Sequence, residues 1–255
     1  MIVQIYEIQT PQEAEKVIEL GVNNIGSVIL SSSSWKFPEI KDTVKTAGSL
    51  GATSSLIPLF SEPDAVFATL EYYGPDIVHF CEALFPFDNI EKTCSRFIKL
   101  QEQVRERFPE IKIMRSIPIP VDGSATEVPF LEIADLFEPY SDFFLTDTFI
   151  SGSGDDHSDA QPVPGYVGIT GKLCSPSKSR ELVEKSVIPV ILAGGLSPEN
   201  IYDLAVDIRP YGVDSCTLTN AVDNNGKPLR FKKDLHRVAA FVNEAKRAAI
   251  KCNSK

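Results

Sequence analysis

Eight times along this chain a short apolar run is followed by an amphipathic segment, and that alternation restricts the possible folds more than any other feature. Strands are expected at Ile2–Ile8, Asn24–Leu30, Ser54–Phe60, Asp76–Phe80, Lys112–Ile117, Asp142–Asp147, Pro189–Ala193 and Gly212–Thr217. Helices are expected near Pro11–Leu20, Pro38–Leu50, Pro63–Tyr73, Ile90–Phe108, Pro129–Phe137, Ser177–Lys185, Pro198–Ile208 and Lys233–Ile250. Several begin with a proline after a polar residue, as at Thr10-Pro11, Glu62-Pro63 and Ser197-Pro198, where the missing N–H would have had no helical partner anyway. Strands that alternate with helices must run parallel, and eight such units close into a single (β/α)8 TIM barrel. An open doubly wound sheet usually has fewer strands, and its glycine-rich dinucleotide fingerprint is missing after the first strand. The 255 residues match the length of one barrel. One domain over residues 1–255 is therefore expected, with long loops at about 148–175 and 220–233 on the C-terminal face.

Barrel enzymes build their sites where the strands end, so the strand ends supply the candidates. On the first strand, placing Val3 and Ile5 toward the helices puts Gln4 and Tyr6 inside, with Tyr6 at the mouth. His79 and Cys81 end the fourth strand region, Arg115 lies in the fifth, Asp147 ends the sixth and Cys216 the eighth. Between Ile188 and Ile201 an apolar run stops at Gly194-Gly195, with Ser197 expected as the N-cap of the next helix. Free N–H groups at such a turn suit a phosphate, although a tight turn with no ligand reads equally well from these residues alone. The glycine-dotted stretch from Thr148 to about Ser175 is a candidate lid. Its Asp155-Asp156-His157-Ser158-Asp159 run reads as a solvated acidic tip more readily than as a metal site. Likewise Cys81 and Cys216 read as buried thiols before a zinc site with His79. No metal and no cofactor is expected.

A net charge of −10 excludes a broad nucleic-acid surface, which would require clustered Lys and Arg. Five scattered cysteines without a C-x-x-C pair make a poor disulfide framework and fit a reducing cytoplasm. No apolar run reaches the length of a membrane span. The expected partner is a small phosphorylated substrate, with no nucleic acid, no membrane and a monomer or homodimer.

The C-terminal half resembles the phosphoribosylanthranilate isomerase family of tryptophan biosynthesis. Leu192-Ala-Gly-Gly-Leu-Ser-Pro-Glu-Asn-Ile201 and Arg209-Pro-Tyr-Gly-Val-Asp214 are similar to its "GGL-PENV" and "P-VD" segments, and Gly168-Ile-Thr-Gly-Lys172 to its "GG(S/T)GK" loop. Upstream, Glu19–Ile29 is similar to the family's second strand and Asp76–Phe80 to its fourth. The resemblance implies an eight-fold barrel and an Amadori rearrangement, in which an acid opens the ribose ring and a base removes the C2′ proton. It implies that Asp147 is the acid. The base is a cysteine in the family's "K-I-C-G", which becomes Gln4-Ile5-Tyr6-Glu7 here, so Tyr6 stands where the cysteine would be, with Glu7 a nearby catalytic candidate that alternation points away from Tyr6's side. The family's arginine after strand two falls near Trp35-Lys36, and its Ser-Ser-Gly on strand eight becomes Cys216-Thr217-Leu218. The resemblance further implies a substrate held by Gly171, Lys172, Gly194, Gly195 and Thr217, with His79 and Arg115 nearby.

Three functions fit these residues. The first is an isomerase of the family type with a replaced base. The second is a barrel enzyme with a changed reaction, lyase or aldolase-like, on a phosphosugar. The third is a sensor that holds a phosphorylated ligand without turnover.

Overall fold

The computed structural model describes residues 1–84, 89–150 and 163–254. Eight parallel strands close in sequence order: β1 (Ile2–Ile5), β2 (Asn24–Ile29), β3 (Thr53–Pro58), β4 (Ile77–Phe80), β5 (Lys112–Pro120), β6 (Phe143–Phe149), β7 (Val190–Leu192) and β8 (Gly212–Ser215). The ring shuts where β1 pairs with β8, from Ile2 opposite Gly212 to Ile5 opposite Ser215. Between the strands run α1 (Pro11–Glu19), α2 (Pro38–Ser49), α3 (Pro63–Tyr73), α4 (Ile90–Arg107), α5 (Phe130–Phe137), α6 (Pro176–Lys185) and α7 (Ile201–Ile208). The fold is thus the expected (β/α)8 barrel.

Helix starts follow local side-chain chemistry. Thr10 Oγ1 accepts from the Glu13 amide ahead of α1, and Asn89 Oδ1 from the Lys92 amide ahead of α4, satisfying N–H groups that have no partner in the first turn. The outward faces of the strands are apolar: Val3 and Ile5 of β1 join Ala14 and Val17 of α1 in one cluster. The inward face carries Gln4, Tyr6, Ser55, His79, Ser116, Asp147 and Asp214, whose contacts run across the barrel.

Three expectations are corrected. The stretch Asn220–Lys233 is a hairpin, with β9 (Asn220–Val222) antiparallel to β10 (Pro228–Lys233). Its turn is set by Asp223, whose Oδ1 accepts from the Asn225 and Lys227 amides, and by Gly226 at φ 78°. Lys233 therefore belongs to a strand, and the last helix, α8 (Leu235–Asn253), starts after Asp234, whose carboxylate caps the His236 and Arg237 amides. Third, α7 starts at Ile201 with Asn200 at the cap position, so Ser197 does not cap it. Ser197 and Asn200 instead close a turn, the Ser197 amide donating to Asn200 Oδ1 and the Asn200 amide to the Ser197 carbonyl.

Residues 163–175 arch over the mouth between β6 and α6. The Val167 amide donates to the Cys81 carbonyl at 2.9 Å and the Ala83 amide to the Gly165 carbonyl at 2.8 Å, tying the loop to the end of β4. The acidic run Asp155–Asp159 lies outside the described residues. Among the described residues no helix is long and apolar enough to cross a membrane.

The mouth end of β1 depends on one glycine. A Cβ at Gly26 of β2 would lie 2.0 Å from Cδ1 of the Tyr6 ring, so the absent side chain is the space the phenol occupies. Gly26→Ala should cost about 3 kcal/mol by overpacking. In a Tyr6→Ala background, where the ring is gone, the same Gly26→Ala change should cost less than about 1 kcal/mol in urea denaturation. Equal losses with and without the ring would show that the glycine serves some other purpose.

Candidate functional site

The strand ends and the loops above them enclose a cleft of about 710 Å3, counted to its open mouth. Tyr6, Glu7, His79, Asp147, Gly171, Gly194, Gly195 and Thr217 line it, so eight of the ten residues singled out from the sequence meet there.

Asp147, expected to end the sixth strand, lies two residues before the end of β6 at Phe149, beneath the arching loop. A Cβ on Gly168, which sits at φ 93°, would lie 2.5 Å from its carboxylate, so loop backbone covers the acid directly. Burial pushes the Asp147 carboxyl up to about 7, against the opposing pull of the Thr148 amide and the Ser116 hydroxyl. On the facing strand, burial likewise raises Asp214 to about 8, although the Gln4 amide donates to it at 3.2 Å. Two carboxyls in one cleft are thus held largely protonated below neutrality.

Tyr6 is 4% exposed. Its hydroxyl bonds Ser55 Oγ at 2.6 Å and His79 Nδ1 at 2.7 Å, and burial holds the phenol well above its usual range. His79 Nε2 bonds Ser116 Oγ at 2.8 Å; burial first, and then the Arg115 charge, lower its imidazole to about 3. Both groups are neutral at physiological pH.

Glu7 lines the cleft but is engaged by the hairpin. Arg230 Nε donates to it at 2.6 Å, with further bonds from Asn220 Nδ2 and the Phe231 amide at 3.3 Å. The Glu7 backbone stands at φ 63°, a left-handed conformation that costs a non-glycine residue roughly 1 kcal/mol or more. The hairpin contacts hold it there.

The phosphate side of the cleft is built from backbone. Gly194 and Gly195 take φ 85° and 69°, and a Cβ on Gly195 would strike the Leu173 amide at 2.4 Å. Gly171 stands at φ 66° close to Thr217. Among the described residues the Gly195 and Leu196 amides donate to no other group. Two expected substrate contacts lie elsewhere. Lys172 is exposed at the rim, its carbonyl accepting from Thr148 Oγ1. Arg115 is fully buried on the opposite face of β5, because strand alternation sends it outward when Ser116 points in. There it pairs with Glu82 at 2.5 Å and Gln101 at 2.8 Å beside the rings of Phe80, Phe97 and Phe137. Nor do Trp35 and Lys36 reach the cleft: Trp35 packs edge-on to Tyr72 of α3, with the Lys36 ammonium over both rings. Among the described residues no three His, Cys, Asp or Glu side chains are grouped to hold a metal.

Asp214, Ser116 and Ser55 were not singled out from the sequence. Strand alternation points to all three, since each lies an even number of residues from an inward neighbour. Asp214 also ends the Arg209–Asp214 segment, whereas Ser55 and Ser116 lie in no motif that distinguishes them from structural polar residues.

The raised carboxyls have a cost. A carboxyl whose folded value is near 8 and unfolded value near 4 destabilises the fold progressively as pH rises between them, because the unfolded chain ionises first. Asp214→Asn, which keeps an acceptor for Gln4, should therefore be more stable than the natural chain at pH 8, by about 2 kcal/mol, with the gain shrinking toward pH 4. Parallel stability–pH curves for the two proteins would show that Asp214 ionises normally.

No family model matches the chain. It is 34% identical over 143 residues to N-(5′-phosphoribosyl)anthranilate isomerase 2 of Methanosarcina mazei, covering 56% of this chain and 53% of the relative. The matched part spans about half the length of the curated relatives. The fold is similar to phosphoribosyl anthranilate isomerase of Thermotoga maritima, with a TM-score of 0.66 at 20% identity over 97% of this chain and all of the other. It is also similar to a phosphoribosyl anthranilate isomerase in complex with reduced 1-(o-carboxyphenylamino)-1-deoxyribulose 5-phosphate, with a TM-score of 0.64 at 18% identity over 97% of this chain and 100% of that one. Over about half its length the chain is thus similar in sequence to phosphoribosylanthranilate isomerases, and it shares their barrel fold.

Proposed function

We propose that the chain is an isomerase of phosphorylated N-glycosylamines, converting a 5-phosphoribosylamine such as phosphoribosylanthranilate to the 1-amino-1-deoxyribulose 5-phosphate. Asp147 carries this reading. It is a half-buried carboxyl near the end of β6, raised to about 7 by desolvation, and facing a cleft that leads to a backbone turn suited to a phosphate. The relatives' names point to the same chemistry, and one structural neighbour holds a reduced form of such a product.

In this reading the phosphate docks against Gly171, Gly194, Gly195 and Thr217, with Lys172 on the rim. Asp147 gives its proton to the ribose ring oxygen, the C1′–O bond breaks, and the nitrogen lone pair forms the imine. Loss of the C2′ proton then returns electrons to the imine, and the resulting enol tautomerises to the ketone. Tyr6, Glu7 and His79 line the region where that proton leaves.

A second reading is favoured by one observation: Tyr6, neutral and hydrogen-bonded, stands where the family's cysteine base is expected. A changed reaction on a phosphosugar, lyase or aldolase-like, fits a site that keeps the acid and the phosphate turn without that thiol.

Purified protein given phosphoribosylanthranilate should consume it, followed by loss of anthranilate fluorescence. Asp147→Asn should lower turnover by about 100-fold or more. Because the acid acts protonated, the rate should fall as pH rises through about 7. The gene should also rescue a tryptophan auxotroph lacking the isomerase. Absence of turnover with inorganic phosphate still bound at Gly195 would reject the isomerase and leave the second reading.

A further inference from the structure

The hydrogen bonds inside the barrel form one unbroken line. Ser55 Oγ meets the Tyr6 hydroxyl at 2.6 Å, which meets His79 Nδ1 at 2.7 Å. His79 Nε2 meets Ser116 Oγ at 2.8 Å, and Ser116 Oγ donates to Asp147 Oδ2 at 3.3 Å. The line crosses four neighbouring strands, β3 to β6, together with the residue that follows β1. It joins the acid to the position that lacks the family's base. The geometry points to a proton relay in which Tyr6, His79 and Ser116 carry a proton between the mouth end of the first strand and Asp147.

Every member can both give and take a hydrogen. With Asp147 ionised, Ser116 donates to the carboxylate, so Ser116 must accept from His79 Nε2–H. His79 Nδ1 is then bare and accepts from Tyr6, whose oxygen accepts from Ser55. With Asp147 protonated the direction can reverse: the carboxyl donates to Ser116, Ser116 to Nε2, and Nδ1–H to the Tyr6 oxygen. Neither end state places a charge on the phenol or the imidazole, in keeping with their burial. The other titratable groups facing the line are Asp214, Cys81 and Cys174 around Asp147 and Tyr6, and Arg115 behind His79. Asp214 and the thiols are raised by burial and are predominantly neutral at pH 7, so Asp147 is the group whose ionisation sets the polarity of the line.

The relay rests on the isomerase reading for its use, and it balances the reaction. Asp147 loses its proton to the ring oxygen. The C2′ proton then passes to the Tyr6 oxygen as the phenolic proton moves to Nδ1, the Nε2 proton to Ser116 Oγ, and the Ser116 proton to Asp147. The C–H electron pair goes to the imine. The acid is restored and Tyr6 serves as a base without persisting as phenolate. His79 ends as the Nδ1–H tautomer. Once Asp147 has next given up its proton, one proton taken from solvent at Asp147 and one released at the Tyr6 end return it to Nε2–H with no net uptake. His79 and Ser116 are positioning residues in this scheme.

Nitrogen-15 NMR of imidazole-labelled protein tests the relay without substrate. The chain has three histidines, and His79→Gln assigns the resonance. The expected result is a neutral His79 from pH 5 to 9 whose tautomer shifts from Nδ1–H toward Nε2–H with a midpoint near the Asp147 value of about 7. Ser116→Ala should abolish that shift, and Ser116→Thr, which keeps the hydroxyl, should restore it. A single tautomer at every pH, or a shift unchanged in Ser116→Ala, would overturn the relay. With phosphoribosylanthranilate, Ser116→Ala should lower kcat at least about tenfold at unchanged KM. A tautomer shift without turnover in the natural chain would reject the isomerase and keep the relay. Turnover with a fixed tautomer and an unaffected Ser116→Ala would do the reverse.

Discussion

The constraint on which the site depends is the strict alternation of side chains in a closed ring of strands. Once β1 is paired on both sides, Tyr6 can only point inward, and a polar aromatic there must find hydrogen-bond partners or bear the cost of an unpaired hydroxyl. Ser55 and His79 are the partners, Ser116 satisfies the far side of the imidazole, and Gly26 supplies the room. Each of these residues makes sense only given the others. The upper half of the barrel interior accordingly carries a polar line set among Val28, Ile57, Leu59 and Leu145, where the interior of a barrel is usually filled by branched aliphatic side chains alone.

That polarity also explains the electrostatics. Asp147 and Asp214 sit among neutral Tyr6, His79 and Ser116, with Arg115 on the far side of the sheet paired to Glu82 and only the Lys233 charge drawing Asp214 downward. The hydrogen bonds from Thr148, Ser116 and Gln4 offset only part of their desolvation, so both carboxyls move upward. The same solvent exclusion that makes an acid useful near neutrality costs the fold stability at higher pH. The site and the stability of the barrel draw on one physical property.

Much of the architecture could be read from the residues because it depends on short-range pattern. Strand and helix periods, with proline at helix starts, located all sixteen barrel elements, and strand parity put Gln4 and Tyr6 inside. Parity would also have moved Arg115 to the outer face, had it been applied to β5 as it was to β1. The hairpin over Asn220–Lys233 was not legible: its strands are short and polar, and they are held by contacts with Glu7 and Glu13 more than two hundred residues away. The start of α7 was misread for a related reason, since Ser197 and Asn200 bond to each other in a turn that sequence spacing cannot distinguish from a cap. In the cleft, the motifs located Asp147 and the glycines, but the line from Tyr6 to Asp147 is a tertiary arrangement of ordinary Ser and His residues.

The clasp between Glu7 and Arg230 bears on how the molecule is made. Its partners are 223 positions apart, and the β1–β8 pairing below it joins segments of similar separation. Contacts of such range form late, because the loop entropy must be met before they return any energy. During synthesis the left-handed turn at Glu7 lacks its Arg230 contact until that residue has emerged, by which time all eight barrel strands have been made. The mouth of the cleft is therefore the last part of the barrel to take shape, and a chain stalled before Asn220 would carry all eight strands but lack the hairpin that braces Glu7 at the mouth.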